Sequence, residues 1–195
     1  MPTWSWRSAT KSGFPKDIVS AVTEAECADL QRLAAGKTVL ELGSDFGRST
    51  VVLAQSAALV FAVDWHKGDP HAGGPHDSAA KFIHNITRYA VRDKIVAVIG
   101  ESSLAIPRMA DSTFDLAFID AFHEEKAAYD DAKMIIPKMK PGAVLVFHDY
   151  TVPHFGVKAA VDRLAVEIGG QVEHLADSLV AVRLLDTSRE GRASR

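Results

Sequence analysis

The sequence predicts an α/β fold: an open, mostly parallel sheet with helices on both faces and an antiparallel hairpin at its C-terminal end. Three observations carry that prediction. Five short apolar runs (38–42, 59–63, 95–99, 116–119 and 143–147) alternate with segments of helical spacing, and parallel strands require such crossovers and bury both faces. Glycine, acidic or histidine residues follow each run directly. The 195 residues, 47% hydrophobic and 24% charged, match one globular domain with a sizeable core.

Each element has a local reason. Thr23-Glu-Ala-Glu26 is a capping box, and Cys27, Leu30, Leu33 and Ala34 follow at helical spacing, which predicts a helix ending near Gly36. The strand 38–42, a glycine loop and a helix over 49–58 come next, then a strand over 59–63 and a helix over 78–89. A strand over 95–99, a short helix over 104–109, a strand over 116–119, a helix over 124–136 and a strand over 143–147 continue the alternation. Val157, Val161, Leu164 and Ile168 give 156–168 helical spacing, while 171–176 and 179–184 flank Asp177-Ser178, a separation suited to a hairpin. Residues 65–77 are rich in glycine and proline and carry His66, His71 and His76, so they form a long loop of the kind that serves function. Residues 1–22 read as an N-terminal arm, 23–185 as the domain and 186–195 as a frayed tail.

Composition excludes several classes of partner. Twenty-two Lys plus Arg against 25 Asp plus Glu leave a net charge of −3, which offers no attraction to nucleic acid or to an anionic membrane. Cys27 stands alone, so no internal disulfide forms. The start lacks an apolar signal run, and no window reaches the roughly 18–20 apolar residues of a membrane span. A cytoplasmic location is expected.

In an open α/β sheet, ligands bind beyond the carboxyl ends of the strands, where the strand order reverses. Five loops lie there: 41–50, 64–66, 100–102, 120–123 and 148–150. Gly43 and Gly47 allow a tight turn, and a helix starting near Gly47 points free amides at an anionic group such as a carboxylate. The same glycines would also serve simply to turn strand into helix. A dinucleotide fingerprint fails, because Asp45 and Arg48 occupy its second and third glycine positions. Asp64, about twenty residues on, ends the second strand, where a carboxylate can take both hydroxyls of a ribose.

Taken in order, Val39-Leu-Glu-Leu-Gly-Ser-Asp-Phe-Gly-Arg-Ser-Thr50, Val63-Asp64, Gly100-Glu-Ser102, Phe118-Ile-Asp120 with His123, and Lys140-Pro-Gly-Ala-Val-Leu-Val-Phe-His-Asp-Tyr150 resemble a known family. It is the class I S-adenosylmethionine-dependent methyltransferases, specifically the small O-methyltransferases that include catechol-type and sugar- and antibiotic-tailoring enzymes. The resemblance runs from Thr23 to Leu185 and implies a Rossmann-like doubly wound sheet. It further implies that Glu41, Gly43 and Ser49 face the methionine end of the cofactor, that Asp64 binds its ribose, and that Glu101 and Ser102 lie at the adenine edge with Trp65 packed on or over the base. Ser44, Gly47 and Asp120 complete the cofactor set. A zwitterionic sulfonium needs an anion for its amino group, donors for its carboxylate and a carboxylate for its diol, and these residues supply them.

The metal-dependent members place an acid after the fourth strand and two oxygen-bearing residues after the fifth around one divalent ion. Asp120 and Asp149 match, and His148 completes the expected metal set, with magnesium, manganese or calcium as the ion. An imidazole suits manganese, iron or zinc better than the hard cations. The competing arrangement is metal-free, with His148 accepting the proton and Asp149 orienting it. His123 occupies the position of the base in catechol-type relatives, and an ordinary imidazole is largely neutral at working pH; a histidine bonded to backbone at a helix start is the plain alternative. Zinc on His66, His71 and His76 is disfavoured by spacing. That loop reads instead as a polar lid over the acceptor, faced by His154 and Phe155. Trp4 and Trp6 are expected to pack on a partner subunit or cover the site.

The resulting expectation is methyl transfer to an oxygen of a small hydroxylated acceptor, by a chain that could act as a homodimer. A non-catalytic module is disfavoured by the intact row Asp120, His123, His148 and Asp149, and a nicotinamide-dependent oxidoreductase by Asp45 and Arg48.

Overall fold

A computed structural model describes residues 13–70 and 74–186. Its strands are β1 (Thr38–Leu42), β2 (Leu59–Asp64), β3 (Gly68–Asp69), β4 (Gly74–Pro75), β5 (Ile95–Ile99), β6 (Phe114–Ile119), β7 (Met139–Phe147), β8 (Val172–His174) and β9 (Val180–Arg183). The α-helices are α1 (Glu24–Ala34), α2 (Arg48–Ser56), α3 (Ala79–Arg88), α4 (Ser102–Ala105), α5 (Glu125–Ile135) and α6 (Val157–Glu167). The main sheet runs β5-β2-β1-β6-β7-β9-β8, parallel from β5 to β7 and antiparallel at β9 and β8. From β1 the chain winds outward through β2 to β5, then returns to β6 on the other side of β1. The connections that leave the paired carboxyl ends of β1 and β6 therefore run to opposite sides, which opens the crevice expected at such a reversal.

Alternation along the central strands divides the core. Val39, Leu116, Phe118, Val144 and Val146 pack with α1, α2 and α3 on one face. Leu40, Ala117, Ile119, Leu145 and Phe147 pack with α5 and α6 on the other. Each fully buried Leu or Phe among them contributes about 1.5–3 kcal/mol of transfer free energy. The capping box at α1 is formed: the Glu26 amide donates to Thr23 Oγ1 at 3.2 Å and the Thr23 amide to Glu26 Oε2 at 2.8 Å. Among the described residues, no helix is long and apolar enough to cross a membrane.

Three local expectations are corrected. The helix expected over 104–109 is one α turn, α4, followed by a 3-10 turn over Ile106–Arg108, because Pro107 has no amide for a longer ladder. Strand β7 starts at Met139, four residues early, and its pairing with β6 shifts between Phe114 and Leu116, beside Pro141 and Gly142 (φ +74°). The loop 65–77 contains the antiparallel ribbon β3-β4. The hairpin β8-β9 turns at Asp177-Ser178, where the Leu179 amide donates to the Ala176 carbonyl at 2.9 Å. Trp4, Trp6, His71 and residues 187–195 lie outside the described residues.

Candidate functional site

A cleft of about 590 Å³ opens at the carboxyl ends of β1, β2, β6 and β7. Its floor is the turn after β1. A Cβ at Gly43 (φ +85°) would sit 1.9 Å from the Asp120 carbonyl oxygen, so only glycine lets the ends of β1 and β6 meet this closely. Asp64 holds the turn: Oδ2 accepts from the amides of Ser44 at 2.8 Å and Asp45 at 2.7 Å, and Oδ1 from the His66 amide at 2.6 Å. Asp64 still borders the cleft, as do Ser44, Ser49 and Trp65. Its carboxylate thus serves the backbone of the loop as well as any diol above it.

Two residues of the glycine segment do not line the cleft. Gly47 caps α2 at φ +88° and faces the Phe82 ring instead. Glu41 lies beneath the floor, with no solvent exposure; the Thr50 hydroxyl donates to Oε2, while Oε1 has no partner. Burial pushes the Glu41 carboxyl up to about 8, against the lowering effect of Ser49 and Thr50. Glu41 is therefore held largely protonated at neutral pH.

One end of the cleft is lined by Gly100, Glu101, Ser102 and Ser103, with Trp65 and Phe122 meeting edge to face at 5.7 Å. The Trp65 indole donates to the Gly68 carbonyl at 3.0 Å. Behind Ser102, buried Asp131 lies 3.3 Å from its hydroxyl and is raised to about 6 by burial.

The other end gathers charge. His123 Nε2 lies 2.8 Å from Asp149 Oδ2 and 3.9 Å from Asp120 Oδ1, while Nδ1 lies 2.7 Å from Asp69 Oδ2. Phe155 packs on the His123 ring at 4.2 Å. Asp149 adopts φ +60°, a conformation an aspartate tolerates and one that turns its carboxylate back to the cluster. Burial would lower the His123 pKa, but hydrogen bonds to Asp149 and Asp69 outweigh it and raise it.

His148 takes a different place from the one expected of it. The ring is buried at 3% exposure and does not border the cleft. Nε2 is 3.2 Å from Glu26 Oε2, and Nδ1 is 2.9 Å from Asp149 Oδ2 and 3.4 Å from Asp120 Oδ1, none of these last two aligned as a hydrogen bond. Burial disfavours its charge, yet Asp120, Asp149 and Glu26 reverse that and raise its pKa far above the ordinary imidazole range. A ring held protonated in this way is not a proton acceptor. Asp120, His123 and Asp149 bring ligand atoms within 4.8 Å of one another and could hold one ion; His148 Nδ1 is as near the two carboxylates, but its ring does not border the cleft. Two carboxylates and one imidazole fit manganese, iron or zinc better than magnesium or calcium.

Sequence reasoning missed two participants. Asp69 lay inside a loop read only as a lid, and its pairing with a histidine 54 positions away has no local signature. Glu26 was legible as a cap, yet its Oε1 also accepts from the Ser178 amide at 3.0 Å and hydroxyl at 2.7 Å, tying α1 to the β8-β9 turn. Burial opposes its ionisation, but His148, Thr23 and Ser178 hold its pKa at about 2. His66, buried with Nδ1 2.8 Å from Ser78 Oγ, and His76, 2.8 Å from Asp45, do not converge on a shared ion.

Comparison with known proteins identifies the family and the fold. A catechol O-methyltransferase of Mycobacterium tuberculosis is 28% identical over 170 residues, covering 79% of this chain and 73% of that protein. The O-methyltransferase TomG of Streptomyces achromogenes, solved with S-adenosylmethionine, superposes with a TM-score of 0.65 at 16% identity over 87% of this chain and 83% of that one. An O-methyltransferase of Bacillus cereus, solved with S-adenosylhomocysteine, gives 0.64 at 18% identity over 87% and 84%. Residues 40–150, more than half the chain, match the family model described as a methyltransferase domain, and the chain belongs to that family.

Proposed function

We propose that the protein transfers a methyl group from S-adenosylmethionine to an oxygen of a small hydroxylated acceptor. The observation that carries this reading is a single cleft that joins the Gly43 turn at one end to Asp120, His123 and Asp149 at the other. The cofactor, when bound, supplies an electrophilic methyl group on a sulfonium. The residues present suit it: the close approach at Gly43 leaves the backbone bare, the α2 amino terminus offers free amides to a carboxylate, and acidic side chains border the rest.

Methyl transfer is a direct displacement at carbon, so the chain must align the acceptor oxygen and dispose of its proton. With the methyl group moving from sulfur to the acceptor oxygen, His123 would take the hydroxyl proton on Nε2 only in its neutral form, where Nδ1 beside Asp69 carries the hydrogen; the raised pKa of His123 opposes that form less than the carboxylates around His148 do. Asp120, His123 and Asp149 are also the residues that would hold a divalent ion, which would acidify the hydroxyl directly. His123 cannot do both, and a chelator separates the cases. The net charge of −3 supports a small molecule over nucleic acid as acceptor.

Thermal melting with S-adenosylhomocysteine, alone and with manganese or magnesium, tests the reading. A ligand at about 100 times its Kd adds about 2.7 kcal/mol to the stability of the state that binds it. A rise in Tm with S-adenosylhomocysteine is expected, and a further manganese-dependent rise lost in Asp149→Asn would place the ion. No rise at millimolar S-adenosylhomocysteine would overturn the assignment in favour of a non-catalytic module.

A further inference from the structure

We propose that Asp69 is a positioning residue: it fixes the His123 ring so that Nε2 rather than Nδ1 faces Asp120 and Asp149. What His123 then does rests on the methyl-transfer reading above; how Asp69 holds it does not.

A carboxylate can only accept, so the ring nitrogen 2.7 Å from Asp69 Oδ2 must carry a hydrogen. In the protonated ring Nε2 also carries a hydrogen and pairs with Asp149 Oδ2 at 2.8 Å; in the neutral ring a hydrogen kept on Nδ1 by Asp69 leaves the lone pair on Nε2, the nitrogen beside Asp149 and Asp120. The same tautomer is required whether Nε2 takes a proton or ligates an ion, and an orienting carboxylate on the far nitrogen is the usual device for selecting it. The other contacts of His123 restrain the residue without choosing between its nitrogens: Phe155 covers a ring face, and the Gly156 amide donates to the His123 carbonyl at 2.7 Å.

The segment is built to deliver this carboxylate. Gly68, at φ +77°, turns the chain where a Cβ would lie 2.4 Å from the Gly74 carbonyl oxygen, and Asp69 pairs with Gly74 in the ribbon. Asp69 and His123 are both nearly buried, with side chains 10% and 13% exposed. At the far side of the ribbon, His76 Nε2 reaches Asp45 Oδ1 at 2.8 Å, so the same segment is tied to the Gly43 turn.

The test uses the full chain labelled with ¹⁵N-histidine, in the presence of S-adenosylhomocysteine. A hydrogen-bonded, slowly exchanging Nδ1–H is expected for His123, assigned by its loss in His123→Asn, and it reads in either charge state of the ring. Asp69→Ala should abolish it, and Asp69→Asn, whose amide oxygen still accepts, should retain it. Asp77→Ala, which breaks the exposed Lys67–Asp77 pair on the same segment, should leave it intact. With 3,4-dihydroxybenzoate as acceptor probe, Asp69→Ala should lower kcat by about 10- to 100-fold without changing the KM for S-adenosylmethionine. Absence of the proton in the native protein, its survival in Asp69→Ala, or its equal loss in Asp77→Ala would overturn the proposal. Failure of S-adenosylhomocysteine to bind the native chain would instead overturn the functional reading.

Discussion

Replacing Glu26 by glutamine removes the charge at the point where α1, the β8-β9 turn and the candidate site meet. The wild-type carboxylate is 1% exposed and accepts from the Thr23 amide, the Ser178 amide and hydroxyl, and His148 Nε2. Its pKa falls from an ordinary 4.5 to about 2 on folding, which at about 1.4 kcal/mol per pH unit corresponds to about 3 kcal/mol of stability at pH 7. Glutamine also turns an amide donor towards groups that are themselves donors, so the loss should reach about 3–5 kcal/mol, the range for breaking a buried pair. Because the folded pKa is depressed, the contribution is complete above the unfolded pKa and shrinks as the pH falls towards 2. By about pH 3.5 the charge-linked part should be about 2 kcal/mol. Urea denaturation of both proteins, followed by far-ultraviolet circular dichroism at pH 7 and about pH 3.5, measures this difference. A loss below about 1 kcal/mol at pH 7, or one that does not diminish on acidification, would refute the assignment of Glu26 as an ionised hub.

Glu41 should behave in the opposite sense. Its folded pKa of about 8 exceeds the ordinary 4.5, so the stability it contributes is present below 4.5 and is lost as the pH rises through 8. Glu41→Gln should therefore gain on the wild type by about 3 kcal/mol between pH 5 and 8, measured by denaturant titration without cofactor; parallel pH profiles would contradict the buried protonated acid. Gly43→Ala places a methyl group 1.9 Å from the Asp120 carbonyl oxygen at φ +85°, and should cost at least about 3 kcal/mol, visible as a fall in Tm or as insoluble protein. A variant melting within a degree or two of wild type would show that the β1 and β6 ends are not held this closely.

Periodicity made the sheet legible before any tertiary contact was known. Runs such as 38–42 and 95–99 coincide with their strands to the residue: the first is a central strand packed on both faces, which favours an apolar run, while the second is the sheet edge, where Val96 and Ile99 are exposed and the run is apolar all the same. The capping box at Thr23 and the turn at Asp177-Ser178 were equally local, each requiring only residues within a few positions. Elements shaped by proline were read less well: 104–109 and the start of β7 depend on where Pro107 and Pro141 interrupt a ladder, and that is settled by the neighbouring strand.

What the sequence determined by itself is the set of groups at the strand ends, since chain order and the parallel topology bring Asp64, Asp120, His123 and Asp149 to one edge. Only the tertiary structure decided which of them face the cleft. His123 and His148 are both histidines beside an acid in the sequence, yet one lines the cavity and the other is buried against Glu26, 122 positions earlier. Glu41 and Ser49 differ in the same way, one beneath the floor and one upon it. The physical reason is that exposure and charge state are set by partners distant along the chain, such as Glu26 for His148 and Asp69 for His123. Those partners are chosen by packing, which local patterns do not encode.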